Sequence, residues 1–282
     1  MPRLEQVVAR APGSLISALR TARVAVLWSL GPVDWAFRVA TGRGRLPPLW
    51  LRRHIGPLPA FERACAEITA VIAMQDLVRR DSRILDIGCA SGSMVPDFQR
   101  MLGPEGSYVG FDVHAASIEW CRRRFADDRR FTFQVARIRT PFSPQYETPA
   151  EAFRFPVDDA SVDFALAKSV FTHMREGEMR RYLSEIRRVL APGGAALVTA
   201  FLLNEGPQSP PYNPPMFDFA FGNGTMRWAI EARPEAALAY DGAFFRSAVG
   251  QAGLGIRRII PGFWSGRCVA PNAQDLIVVE HA

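Results

Sequence analysis

Cysteine is scarce in this chain. Four of its 282 residues are Cys65, Cys89, Cys121 and Cys268, and no two form a C-x-x-C pair. That spacing excludes the usual structural zinc site, and the thiols read as reduced groups of a cytoplasmic protein. Histidine is equally sparse. No trio of His54, His114, His173 or His281 with acids has metal-site spacing, so no metal is expected. Long hydrophobic runs are missing. The best, Val24 to Leu30, falls far short of the roughly 20 residues that a bilayer span needs, and Gly31-Pro32 breaks it. Arg20 and Arg23 interrupt any cleavable leader. There is no internal repeat. Acids are few in the first fifty residues, and arginine dominates a basic side that leaves a net charge of +6. Such a balance suits phosphate, sugar-phosphate, nucleic-acid or membrane-surface partners, and equally plain solubility.

What is present is an ordered α/β pattern. The hydrophobic content of 48% supplies the core of one large α/β domain with additions. Ile84-Leu85-Asp86-Ile87 is a short apolar run ending around an acid, and it opens into Gly88-Cys89-Ala90-Ser91-Gly92-Ser93. The run predicts a buried strand, the small residues a tight turn, and VPDFQRML a helix beyond it. In open α/β sheets ligands bind at the carboxyl ends of strands, where small residues allow close backbone approach. Ser107 to Asp112 predicts a second strand, ending in an acid twenty-six residues after Asp86. An acid there accepts hydrogen bonds from ribose hydroxyls, so the set points to an adenosine-containing ligand. The loop is neither G-x-G-x-x-G nor a P-loop with its lysine, so nothing asks for a pyrophosphate.

The pattern resembles the first motif of class I S-adenosylmethionine-dependent methyltransferases. Their cofactor carries an amine and a sulfonium and no phosphate, which suits an acid at the strand end. The resemblance continues through Phe155 to Ala167 (the approach to strand four and the strand itself), Ser169 to Met174 (the segment after it), and Glu185 to Gly194 followed by AALVTAF (helix, turn and strand five). It covers about residues 65 to 203. It implies a Rossmann-like, doubly wound seven-stranded sheet with a C-terminal antiparallel hairpin, here from Leu254–Pro261 and Gln274–Glu280, preceded by an N-terminal helical extension. It implies S-adenosylmethionine as cofactor, held by Asp86, Gly88, Cys89, Ala90, Gly92, Asp112 and Val113, with Lys168 and Ser169 lining the pocket. The chain departs from the family at Ala90, where glycine is usual, and after strand three, where Arg137 and Arg139 stand in place of an acid.

Residues 1–57 are expected as the extension and 58–282 as the methyltransferase domain. Residues 11 to 40 carry helical periodicity with arginines. They predict a helix that packs on the core, caps the cofactor site, or lies on a membrane surface with Trp28 and Trp35 as anchors. A long helix is predicted over 58–80. In residues 204–227, prolines and glycines argue against regular structure, and aromatics argue against a solvated linker. Residues 204–245 are therefore expected to cover a substrate pocket, with a helix near 235–252. Tyr212, Phe217, Trp264 and Arg267 are the candidate acceptor residues. His173, just beyond strand four, is the candidate general base, with Glu205, Asp218 and Tyr212 as alternatives. Ser209-Pro210-Pro211-Tyr212 matches a motif of adenine amino-methyltransferases, but those enzymes carry it after strand four, so nucleic acid is not expected as partner. The expected activity is methylation of a hydroxyl on a small sugar or natural product. A lipid-linked glycan or quinone at a membrane surface, or a non-catalytic binding scaffold, are the alternatives.

Overall fold

The structure is a computed structural model and describes residues 22, 25–44, 46–52, 58–206, 211–270 and 272–282. The chain divides into two compact units, Met1–Arg63 and Ala64–Ala282. In the first, residues 25–29 are helical and α1 spans Gly31–Ala40. Pro32 occupies its first turn, where the absent N–H leaves no hydrogen bond unmade. The expected helix over 11–24 and His54 lie outside the described residues, apart from Ala22.

Helix α2 (Leu58–Met74) leads into the second unit. It ends six residues before the expected boundary at 80, because Asp76 takes a left-handed backbone (φ 51°) that turns the chain toward the sheet. Then follow β1 (Arg83–Ile87), α3 (Val95–Met101), β2 (Ser107–Asp112), α4 (Ala115–Arg124), β3 (Phe131–Val135), β4 (Val162–Ala167), α5 (Glu176–Val189), β5 (Leu190–Ala200), α6 (Gly242–Gln251), β6 (Leu254–Ile260) and β7 (Asp275–His281). The sheet order is β6-β7-β5-β4-β1-β2-β3. Strands β1 to β5 run parallel, while β7 runs antiparallel to both β5 and β6. This is the expected doubly wound sheet with its terminal hairpin.

Burial explains the near-continuous apolar strands. Both faces are covered, as parallel sheets require. Along β1, Ile84 joins the cluster with Ile68, Phe98 and Ile118, and Leu85 and Ile87 join the cluster with Leu183, Ile186 and Phe245. In β4, Phe164 and Leu166 belong to the first cluster and Ala165 and Ala167 to the second. The two-residue period therefore sends Asp86 and Lys168 toward the α2–α3–α4 face. Chain order reverses between β1 and β4, the switch point where α/β sheets open a crevice at their carboxyl ends.

Three expected boundaries are corrected. Strand β5 begins at Leu190, so Ala191-Pro192-Gly193-Gly194 is part of it rather than a free turn, and a register irregularity between Val162 and Phe164 absorbs the left-handed Gly193. The region 204–227 is not devoid of regular structure. Leu202–Leu203, Phe221–Gly222, Met226–Trp228 and Leu238–Asp241 form a four-stranded sheet. Helix α6 starts at Gly242 rather than near 235, because Asp241 ends a strand and caps the helix by accepting from the Phe244 N–H at 3.0 Å.

Candidate active site

The loop after β1 is built on positive φ angles: Gly88 at 73°, Ala90 at 48° and Gly92 at 70°. A Cβ on Gly88 would lie 2.6 Å from Val170 Cγ2, and one on Gly92 2.9 Å from Phe125 Cε2. Both glycines are therefore required by space as well as by conformation. Ala90 adopts the left-handed region as a non-glycine. The backbone N–H groups of Gly88 and Cys89 donate to Phe111 O at 2.9 and 3.0 Å, folding the loop over the end of β2. Cys89 is buried, and burial pushes its thiol well above the usual range, which fits packing rather than chemistry.

Asp112 closes the loop. Its Oδ2 accepts from the Ala90 N–H at 2.9 Å and its Oδ1 from the His114 N–H at 2.8 Å. Burial pushes its carboxyl up, and those backbone donors oppose the shift. Each oxygen keeps lone-pair capacity for a hydroxyl donor. Val113, half-buried, packs beside it against the core, and His114 starts α4 with Nδ1 2.8 Å from Ser117 Oγ. Beyond β3, Arg137 and Arg139 are exposed.

Asp86 is 3% exposed. Its Oδ2 accepts from the Tyr108 hydroxyl at 2.7 Å. Tyr108 reaches it diagonally across the β1–β2 pair, over the space left by Gly110, where a Cβ would lie 2.8 Å from the phenol oxygen. Burial raises the Asp86 carboxyl to about 6, against the pull of Tyr108 and the Lys168 charge. Lys168, at the end of β4, places Nζ 3.3 Å from Ser93 Oγ and 3.9 Å from Cys65 Sγ. Among the described residues it makes no salt bridge to a carboxylate. Asp86 and the Lys168 ammonium thus share the switch point, near enough for their charges to interact without a salt bridge, a pair complementary to an α-amino acid. The set fits the methionyl and ribosyl ends of S-adenosylmethionine.

After β4, Ser169 takes a left-handed φ of 57° and donates its N–H to Thr199 Oγ1 at 2.7 Å. This kink directs the chain into a short 3-10 turn, Phe171–His173, pinned by the Tyr240 hydroxyl on the carbonyls of Phe171 and Met174 at 2.7 and 2.6 Å. His173 Nδ1 lies 2.8 Å from the Glu235 carbonyl, which can only accept. The neutral ring therefore carries its proton on Nδ1 and keeps a lone pair on Nε2. Burial holds its pKa below the ordinary value. Phe142 meets the ring edge to face at 5.4 Å, and the neighbouring Thr172 hydroxyl is buried without a hydrogen-bond partner.

The insertion has its own core. Phe201, Phe219 and Trp264 lie 5.4–5.5 Å apart, with Phe217 5.4 Å from Phe201. The Trp264 indole N–H donates to Asp275 Oδ2 at 2.9 Å, and the same carboxylate accepts from the backbone of Gly262 and Leu202, both at 2.7 Å. Burial raises Asp275 to about 6. Trp264 is thus committed to the cluster. Tyr212 is 71% exposed, Arg267 is half-buried and Asp218 is exposed. Glu205, an alternative base by sequence, is spent on a two-pronged pair with Arg246 at 2.7 and 2.8 Å. The Tyr108 bridge was not foreseen, although an isolated glycine inside a strand signals close approach.

Residues 84–194 match the family described as methyltransferase domain. Over 100 residues the chain is 35% identical to a probable cobalt-precorrin-6B C(15)-methyltransferase (decarboxylating) of Thermoplasma acidophilum, covering 35% of this chain and 45% of the relative. Over 127 residues it is 29% identical to a ubiquinone/menaquinone biosynthesis C-methyltransferase of Hahella chejuensis, 44% of this chain and 45% of the relative. These alignments span less than half the length of the curated relatives. The fold is similar to that of the 1,6-didemethyltoxoflavin-N1-methyltransferase of Burkholderia thailandensis, at a TM-score of 0.53 and 15% identity over 96% of this chain and 91% of that one. The motif order, the sheet and the domain matched over residues 84–194 support a class I methyltransferase, a class whose methyl donor is S-adenosylmethionine.

Proposed function

We propose that the chain transfers a methyl group from S-adenosylmethionine to a hydroxyl of a small molecule of sugar or natural-product type, with His173 as general base. The observation that carries the base is the fixed neutral tautomer: Nδ1–H on the Glu235 carbonyl, Nε2 left as acceptor. The cofactor supplies a methyl already activated as a sulfonium, so the chain's task is alignment and proton removal. Asp112 would accept from the ribose hydroxyls, and the Gly88–Gly92 loop would pass close to the nucleoside. Asp86 would face the cofactor's amine and Lys168 its carboxylate. Nε2 of His173 would take the acceptor's proton as the oxygen attacks. The insertion at 204–245 would cover the acceptor, with Tyr212, Phe217 and Arg267 as its polar and aromatic contacts.

Two measurements test this reading. Calorimetry with S-adenosylhomocysteine should show binding that Asp112→Ala weakens; no binding by folded protein would favour the non-catalytic scaffold. With an acceptor in hand, His173→Ala should lose turnover, and full turnover would remove His173 as base. A second reading, an acceptor carried on a lipid such as a quinone or lipid-linked glycan, is favoured by the exposed apolar residues of α1. It predicts turnover only with vesicle-borne acceptor.

A further inference from the structure

The positive charge of this chain is confined to one end. Residues 1–63 hold ten arginines against Glu5, Asp34 and Glu62, a net of +7, whereas residues 64–282 hold 24 basic and 25 acidic residues, a net of −1.

Within that basic unit, the helical residues 25–29 and α1 are built inside out. Their two charged side chains, Asp34 and Arg38, point inward. Asp34 accepts from Arg38 Nε at 2.8 Å and from the Leu49 N–H at 3.2 Å, and it pairs with Arg52. Arg38 donates further to the carbonyls of Gly44 and Leu46, at 3.2 and 2.7 Å. Arg38 and Arg52 are each 4% exposed. The apolar side chains point outward. Val26, Leu30, Val33 and Phe37 follow an i, i+4, i+7, i+11 stripe, and Trp28, Trp35 and Val39 form a second. Trp28 and Phe37 are 57% exposed and Trp35 60%. At ~100° per residue, the arc from Trp35 round to Leu30 spans roughly 220° of the helix and holds no charged residue.

A water-facing helix has the opposite arrangement. Outward Trp and Phe on a unit of net +7 match an anionic lipid surface, where aromatic rings sit at the headgroup level; Arg38 and Arg52 are spent inside the fold, and it is the net positive charge of the unit's sequence that is drawn to the phosphates. The sixteen residues 25–40 span at most ~24 Å as helix, against a hydrocarbon core of ~30 Å, and no described helix is long and apolar enough to cross a membrane. We propose that residues 25–40 form an in-plane anchor that seats this protein on anionic bilayers, with Trp35 and Phe37 entering the headgroup–acyl boundary beside Trp28, whose ring stacks on Trp50 at 4.9 Å. The inference does not depend on the methyl-transfer reading.

The test is flotation of the full chain with phosphatidylcholine vesicles, with and without phosphatidylglycerol. The wild type should float with the anionic vesicles at least tenfold more than with the neutral ones, and less at high salt. Trp35→Glu with Phe37→Glu should lower flotation at least tenfold. Tryptophan quenching by brominated lipids tests the intact protein directly, and Trp28→Phe with Trp35→Phe, a milder change, should remove it. No flotation on either vesicle, or flotation and quenching that ignore these substitutions, would overturn the proposal. So would a dimer, seen by sedimentation, that the Glu variant dissolves while no vesicle binding exists, because the face would then belong to a second copy of the chain.

Discussion

Replacing Asp86 by Asn should stabilise the protein while weakening its binding of S-adenosylhomocysteine. Burial raises the Asp86 carboxyl from 3.8 to about 6. The folded state therefore holds a proton that the unfolded state has already released between those two values. Stability from this group is fully present below the unfolded pKa and is lost as pH rises through the folded one. A shift of about two units costs about 3 kcal/mol at about pH 8 and roughly half that near pH 5. Asn removes the charge and can still accept from the Tyr108 hydroxyl, which now donates to Oδ2 at 2.7 Å. Its amide N–H groups bring a desolvation cost of about 1 kcal/mol, leaving a net gain of about 2 kcal/mol near pH 8. For a domain of this size that is a Tm rise of roughly 4–8 °C, shrinking toward zero near pH 5. Differential scanning calorimetry across that pH range reads both the gain and its slope. S-adenosylhomocysteine affinity should fall in the same variant. A variant no more stable than wild type at high pH, or one that keeps the wild-type pH slope, would refute the reasoning.

Ala90→Gly should also stabilise. An alanine in the left-handed region costs about 1–2 kcal/mol, and the added freedom of glycine in the unfolded chain returns about 0.4–1 kcal/mol of that. The net gain of about 0.5–1 kcal/mol is measurable by urea denaturation. Lys168→Met should weaken S-adenosylhomocysteine about 10- to 100-fold, the worth of one charge-assisted hydrogen bond. It should leave 5′-methylthioadenosine, which lacks the amino acid, within about twofold of wild type; equal losses for both ligands would place Lys168 elsewhere. The acid limb of kcat/KM should lie below the ordinary histidine value of 6.5, because burial disfavours the His173 cation. His173→Gln should lower the rate about 10²- to 10⁴-fold and erase that limb, and a limb that persists would belong to another group.

Much of this was legible in the chain before it was folded. The strand, small-residue loop, helix, strand and acid of Arg83 to Asp112 lie in consecutive order, and the elements appear where the pattern placed them. Asp112 could be read as the acid at the end of the second strand, whereas its closure of the loop onto the Ala90 and His114 N–H groups appears only in the structure. The insertion was less legible. Its four strands are two to four residues long, too short for alternation to show. Leu202–Leu203 follows β5 and Leu238–Asp241 runs into α6, so the pairing of these two depends on elements far apart in sequence.

The order of elements and the class of fold could be read from the chain alone, as could the loop proposed to hold a cofactor, since these follow from local periodicity and from contacts at the ends of successive strands. The tertiary structure alone decided which charges meet. Tyr108 reaches Asp86 from 22 residues away, Lys168 reaches Ser93 from 75, and Arg52 turns Asp34 inward from 18. Periodicity states which face a side chain occupies. It does not state which strand or turn lies opposite, and that neighbour sets whether a carboxylate is raised, paired or free and which side of α1 is left to face out.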